Sequence, residues 1–238
     1  MKIQGRKAII LGGTSGIGLE AARQLTDAGA DIVVASRSDA NREIAARTLG
    51  AGAVIREVDV LDRDALSALF EEQAPFDILV CSATGGPRAV GPFLEMDLDG
   101  FQGSFAKLWG YTNAVRLGTS SLSEDGTIVL VSGYPARRPS PGASAISTVG
   151  NAVEGFARAI VSEIAPRRIN VVSPGVISTP MMSLEPEIRD TFLASATESF
   201  AIPRPGQPEE VASAIMFLIE NEFVTGTTVD VDGGALLS

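Results

Sequence analysis

Residues 12 to 18 read GGTSGIG, a glycine-rich stretch in which Gly12, Gly16 and Gly18 stand with Gly13, Thr14, Ser15 and Ile17 between them. These are residue types that a bound phosphate needs. Glycine permits a tight turn and lets the backbone approach a pyrophosphate. A following helix then supplies N–H donors and a positive dipole end. An apolar run, KAIIL at 7–11, stands immediately before, and a helical pattern over 16–29 immediately after. That strand-to-helix setting separates a dinucleotide loop from a bare glycine-rich turn. The next strand ends at Ser36 and Arg37. An NAD site usually has an acid there, about 20 residues past the glycines, to accept from the ribose 2′-hydroxyl. A hydroxyl and a guanidinium instead suit a 2′-phosphate through charge-assisted hydrogen bonds, which points to NADP(H). Asp39, close behind, weighs slightly against that reading.

The inventory of proton-handling side chains is short. There is no histidine, and Cys81 is the single cysteine. A Ser-His-Asp triad, a histidine metal site and a thiolate metal cluster are all excluded. Tyr111 and Tyr134 are the only tyrosines, and Lys2, Lys7 and Lys107 the only lysines. A tyrosine or lysine acid/base must come from these five.

Short apolar runs alternate with helical patterns along the whole chain. Strands are predicted at 7–11, 31–36, 53–58, 76–81, 126–132, 168–173 and 227–234. Helices are predicted over 16–29, 39–49, 62–73, 97–122, about 143–165 and 208–220, with a mixed, proline-bounded segment at 179–202. Strict alternation implies an α/β fold with a mostly parallel sheet and helices on both faces. Over 238 residues no repeat or linker interrupts it, so one domain, 1–238, is expected. The net charge of −10 makes nucleic acid and anionic membranes poor partners. A start without a signal-peptide pattern and a lone cysteine fit a cytoplasmic protein.

Taken together, GGTSGIG, Asp59-Val60, SPGVISTP (173–180), RPGQPEEVA (204–212) and the terminal VDGG (231–234) resemble the short-chain dehydrogenase/reductase family over nearly the whole chain. The resemblance implies a single Rossmann-type, doubly wound domain with about seven parallel strands, and a homodimer or homotetramer. It places Asp59 and Val60 beside the adenine, and Ser82 and Ala83 beside the ribose. Pro174, Gly175, Val176, Ile177 and Thr179 fall at the nicotinamide end. It also implies hydride transfer between nicotinamide and a carbonyl or alcohol carbon, with an Asn-Ser-Tyr-Lys set handling the proton.

That set is absent here. In GASAISTVGNAVEGF, Ile146 stands where the tyrosine belongs and Gly150 where the lysine belongs. Gly133 replaces the serine and Lys107 the asparagine. No tyrosine has a lysine four residues on, so a shifted alignment restores nothing. The remaining candidates are Tyr134, next to Gly133, and Lys107, at a family active-site position. Arg137 and Arg138 are candidates to hold an anionic substrate. Met181, Met182, Leu184, Phe192 and Phe200 suggest an apolar lid. Two classes of function stay open. One is an NADP(H)-dependent oxidoreductase with an unconventional proton donor, turning over ordinary ketones poorly. The other is a non-catalytic NADP(H)-binding sensor or partner protein. The long helix around 97–122, with Phe101, Phe105, Leu108 and Trp109, and the helix around 143–165 are the expected subunit contact.

Overall fold

The computed structural model describes residues 1–86, 88–180 and 185–238. The strands are β1 (Lys7–Leu11), β2 (Asp31–Ala35), β3 (Val54–Arg56), β4 (Phe76–Cys81), β5 (Leu122–Val131), β6 (Arg168–Pro174) and β7 (Thr228–Val231). They form one seven-stranded sheet in the order β3-β2-β1-β4-β5-β6-β7, with every pair parallel. The helices are α1 (Gly16–Asp27), α2 (Asp39–Leu49), α3 (Arg63–Gln73), α4 (Leu98–Ser104), α5 (Ala106–Gly118), α6 (Ser144–Ile160), α7 (Pro186–Thr197) and α8 (Pro208–Glu220).

A strand buried on both faces has no polar side, and β1 shows the consequence. Ala8 and Ile10 pack into one core with Ala21, Leu25, Ile215 and Leu218, from α1 and α8. Ile9 and Leu11 point the other way, into a second core with Leu66, Phe70, Tyr111 and Val153, from α3, α5 and α6. This is the doubly wound arrangement, with continuous apolar strands covered by helices on both sides. Strand order reverses direction between β1 and β4. In such sheets ligands bind outside the carboxyl ends of the strands, at that reversal.

The elements differ from the sequence pattern in four places. The helix expected over 97–122 is two helices broken at Phe105. The Asp97 carboxylate accepts from Gly100 N (2.7 Å) and starts α4. The Ser104 hydroxyl then donates to Gly100 O (2.9 Å) and accepts from Ala89 N (2.8 Å). A side chain bonded back to its own helix while held by a loop competes with continued helix. The stretch from 122 belongs to β5, and α5 stops at Gly118. The third strand is shorter than the expected 53–58, since β3 pairs with β2 only over Val54–Arg56. Helix α6 ends at Ile160 rather than near 165. The mixed segment 179–202 contains α7, while Met181, Met182 and Leu184 lie outside the described residues.

One buried charge ties the far edge together. Arg168, at the start of β6, donates to Leu218 O (2.8 Å), Ile219 O (2.8 Å) and Val224 O (3.0 Å). The first two are among the last carbonyls of α8, which no helical N–H satisfies and which carry the negative dipole end. Burial pulls the Arg168 guanidinium below its ordinary range, yet the bonded group stays charged. Replacing it removes three charged bonds at once: Leu218 O loses its side-chain donor, while Ile219 O keeps the Met1 amino group (3.3 Å) and Val224 O keeps the Asn170 amide (2.9 Å). Arg168→Met is expected to lower unfolding stability by about 3 kcal/mol in urea denaturation, with the slope unchanged. A loss under ~1 kcal/mol would mean that water or neighbours satisfy those carbonyls.

Candidate functional site

The carboxyl ends of β1, β2, β4, β5 and β6 open into one cleft of about 930 Å³. The turn after β1 supplies its floor. Gly12 has φ +81°, and a methyl group there would lie 2.6 Å from Ala83 N, on the strand-end segment after β4. Only glycine lets these two backbones meet. Ser15 is the N-cap of α1 and makes no side-chain capping bond. The first-turn N–H groups of α1 are thus left to the cleft, where Thr14, Ser15, Gly16 and Ile17 line the wall. The donor set and the side-chain-free approach fit a pyrophosphate. Gly18 does not line the cleft. It sits beneath the Gly12 carbonyl, with no room for a side chain, and allows α1 to pack against the turn.

At the β2 end, Ser36 and Arg37 line the cleft together with Ser38 and Asn41. Arg37 is anchored only loosely. Its Nη1 lies 3.3 Å from Asp59 Oδ2, and both side chains are substantially exposed. Asp59 therefore faces Arg37 and is not among the residues lining the cleft. Val58 and Val60 form the apolar wall there instead. Arg42 donates to Ser36 O and Arg37 O (3.0 Å each), which fixes the backbone beneath both side chains. Ser82 and Ala83 line the middle of the cleft. Pro174, Gly175, Val176, Ile177 and Thr179 line its other end, with Gly133, Tyr134 and Ile146.

That end is where the proton-handling positions converge. A methyl at Gly133 would make only ordinary contacts, 3.5 Å from Pro135 Cδ and 4.0 Å from Pro174 O. At Gly150 the situation is opposite. A methyl would meet Ala136 Cβ at 2.8 Å and Ser132 Oγ at 3.3 Å. The Ser132 hydroxyl donates to Gly150 O (3.2 Å), and the Asn151 amide donates to Ala136 O. The turn after β5 is thus latched onto α6 across the space where a side chain from position 150 would run. Ser132 is turned into that latch, so it does not substitute for a hydroxyl at 133.

Lys107 enters from α5. It is half-buried and lines the cleft, and its Nζ donates to Ser132 O (3.1 Å). The ammonium lies 5.7 Å from the centre of the Tyr111 ring. Desolvation, followed by the nearby charge of Arg88, lowers its pKa to about 8. Tyr111 cannot share the task. It is buried, its hydroxyl donates to Val131 O (3.1 Å), and desolvation raises its pKa well above the ordinary phenol value. Cys81 is buried and its thiol is likewise pushed up. Tyr134 lines the cleft with its ring set edge-on to Phe200, centroids 6.1 Å apart. Phe200 is buried beneath it, and Phe192 of α7 reaches the cleft wall.

Arg137 and Arg138 do not reach the cleft. Arg137 Nη1 donates to Asp230 (2.9 Å) and its Nε lies 3.4 Å from Glu154, while Arg138 is bonded to Ala235 O. Both are spent on tying the C-terminal segment and α6 to the turn. Arg88, which lines the cleft along with Arg37 and Lys107, was not singled out by the sequence. Its signal was a lone basic residue in the glycine- and proline-rich loop TGGPRAVGP after β4, at the carboxyl edge where sites of this fold lie.

Comparisons with known proteins agree with this architecture. The family model described as enoyl-(acyl carrier protein) reductase matches residues 12–235. The cyclic-di-GMP-binding biofilm dispersal mediator protein of Escherichia coli K12 is 33% identical over 96% of this chain and 96% of its own. A solved short chain dehydrogenase/reductase family protein is 32% identical, with a TM-score of 0.88 and full coverage of both chains. A small-chain dehydrogenase solved in complex with NADPH is 26% identical, with a TM-score of 0.82, covering 99% of this chain and 100% of that one. With its parallel seven-stranded sheet and glycine turn opening on the strand-end cleft, the chain belongs to the short-chain dehydrogenase/reductase family of oxidoreductases.

Proposed function

We propose that residues 1–238 form one NADP(H)-binding domain that reduces a carbonyl compound, with Lys107 as the proton donor in place of the family's tyrosine. The observation that carries this reading is the placement of the Lys107 ammonium beside Ser132 O, in a cleft that Ile146 also lines. The dinucleotide supplies a hydride to the carbonyl carbon when bound. The chain's own residues do the rest. The Gly12 turn and the first turn of α1 hold the pyrophosphate, and Ser36 and Arg37 bind the 2′-phosphate. Arg37 exchanges its long, exposed contact with Asp59 for that phosphate. The NADPH bound to a structurally similar dehydrogenase supports the cofactor assignment.

The proton logic follows from the Lys107 environment. A lysine with a pKa of about 8 is mostly protonated at neutral pH and loses its proton readily. That matches the requirement for a general acid, whose ideal pKa lies near the working pH. Lys107 therefore gives a proton to the oxygen as negative charge develops there, and regains one from water. Ile146 and Val149 face the same space and exclude solvent without donating. The exposed side chains of Phe93, Leu94, Leu98 and Trp109, around α4 and α5, support assembly as a homodimer or homotetramer. Among the described residues no helix is long and apolar enough to cross a membrane.

Two measurements test this. Arg37→Ala should weaken NADPH binding by roughly 10- to 100-fold in a fluorescence titration, the size of a lost charged hydrogen bond, and leave NADH binding unchanged. An undiminished preference for NADPH would place the 2′-phosphate elsewhere. In steady-state reduction, Lys107→Met should lower kcat by about 100-fold or more while NADPH affinity is kept. The donor is the charged form, so the wild-type rate should be level below pH about 8 and fall above it. In the variant that alkaline limb should vanish. Tyr134→Phe should change kcat by less than about 3-fold, since hydride delivery and proton donation persist. A wild-type rate retained in Lys107→Met would refute the donor assignment.

A further inference from the structure

The chain has 29 aspartates and glutamates against 19 lysines and arginines, yet no acid lines the cleft among the described residues. Lys107 therefore sits in the cleft without a carboxylate. Among the described residues its Nζ has one hydrogen-bond acceptor, the peptide oxygen of Ser132 at 3.1 Å. The loop after β4 closes over the backbone there, where a methyl at Gly85 would come within 2.6 Å of Ala106 O and 3.0 Å of Lys107 N. The side chain runs past the Tyr111 ring, with Nζ 5.7 Å from its centre, and reaches the cleft. Apolar side chains line that same cleft, among them Ile146, Val149, Pro180 and Phe192. There is also room. Gly133 lines it without a side chain, and a methyl at that position would meet nothing closer than 3.5 Å.

We infer that Lys107 is also an amine nucleophile, and that the cleft captures an aldehyde with an apolar body as a protonated imine on its Nζ. This capture goes beyond the proton-donor role and needs no turnover. A carboxylate partner would hold the proton on the nitrogen through a charge-assisted bond. A peptide carbonyl carries no countercharge and accepts an N–H from the ammonium and from the free amine alike. Ser132 O thus keeps Nζ in place when the proton leaves. The neutral amine then has a lone pair, and no acceptor among the described residues takes its second N–H. Desolvation and the Arg88 charge bring the pKa to about 8, so roughly one molecule in ten carries the free amine at neutral pH. An ordinary lysine offers roughly one in 2,500. Lysines desolvated in apolar pockets form Schiff bases with carbonyl compounds for this reason.

The step balances without an oxidant or reductant. The nitrogen lone pair forms the C–N bond while the carbonyl π pair moves to oxygen. The proton that the ammonium lost, and a second one from the nitrogen, pass through water to that oxygen. The C–O bond then breaks and water leaves. Ammonium and aldehyde give iminium and water, with one positive charge on each side. The apolar wall receives the body of the aldehyde. On the reading of Lys107 as proton donor, capture also blocks reduction, because it occupies the nitrogen that gives the proton.

The test treats the whole protein with benzaldehyde and cyanoborohydride, which reduces an imine to a stable benzylamine, and locates the benzyl group by peptide mass spectrometry. Lys2 and Lys7 are internal references. Lys7 is the stricter one, since its Nζ also donates to a peptide oxygen, Gln73 O (3.0 Å), and does not line the cleft. Lys107 should be benzylated about tenfold or more faster than Lys7. Lys107→Arg keeps the charge without a nucleophilic amine and should remove the fast site. Glycolaldehyde, small and polar, should show a smaller preference for Lys107. A preference as large as that of benzaldehyde overturns the apolar assignment. Labelling of Lys7 or the amino terminus as fast as Lys107, or none at Lys107, overturns the inference. A labelled Lys107 in a protein that oxidises NADPH with no carbonyl compound sustains the imine site and refutes the reductase reading. Reduction that is lost in Lys107→Met, with Lys107 unlabelled in the wild type, does the reverse.

Discussion

The contact between Gly150 and Ala136 governs what this site can be. A single methyl at position 150 would press within 2.8 Å of the Ala136 methyl, and the Ser132 hydroxyl and Asn151 amide lock the two segments together. Short-chain dehydrogenases with the usual set send a lysine from that helix turn to the cofactor and the tyrosine. Here Gly150 lines the cleft with no side chain, and the first carbon of any side chain there would meet Ala136. A glycine in the middle of α6 costs about 1 kcal/mol of helix stability, and the close packing across the latch offsets it. The consequence reaches beyond one residue. With 150 closed and Ile146 apolar, α6 contributes walls and no protons.

The chemistry then has to come from the neighbouring helix. Lys107 on α5 is placed there by the break at Phe105, since one continuous helix through 97–122 would not end α4 on the Ser104 bonds to Ala89 N and Gly100 O. The same arrangement puts the loop after β4 against α5 and so sets Arg88 beside Lys107. The dinucleotide end is separate from these changes. Its turn, its helix N-terminus and its Ser36-Arg37 pair lie across the strand reversal from α6. A family site can therefore lose its proton relay and keep its cofactor cradle, because different strand ends build the two halves.

Much of the fold was legible because its signals are local or periodic. Apolar runs such as KAIIL and DIVVA, separated by helical spacing, specify a parallel sheet covered on both faces, and GGTSGIG marks the turn at its reversal. The helix break at Phe105 was not legible, since it depends on a bond from Ala89 N, distant in sequence, to Ser104. Arg168 reads as a surface charge, and only the folded chain shows it bonded to three carbonyls around the end of α8. In the site, the absences at 133, 146 and 150 could be read directly. The sealing of position 150 and the pairing of Asp59 with Arg37 could not, because both are tertiary contacts. The arginines 137 and 138 attracted attention by adjacency to Tyr134, and Asp230 and Ala235 O claim them. Arg88 became visible only when its loop was laid against α5.

The chemistry of the site turns on Lys107 being a weakened acid at the wall of the cleft. With only Lys2, Lys7 and Lys107 in the chain, carbon-13 labelling at lysine Cε gives an NMR spectrum of three resonances that can be titrated individually. Lys107 is expected to titrate near pH 8 in the protein. A Lys107 resonance that titrates at about 10.4, the ordinary lysine value, would contradict its role as the proton donor.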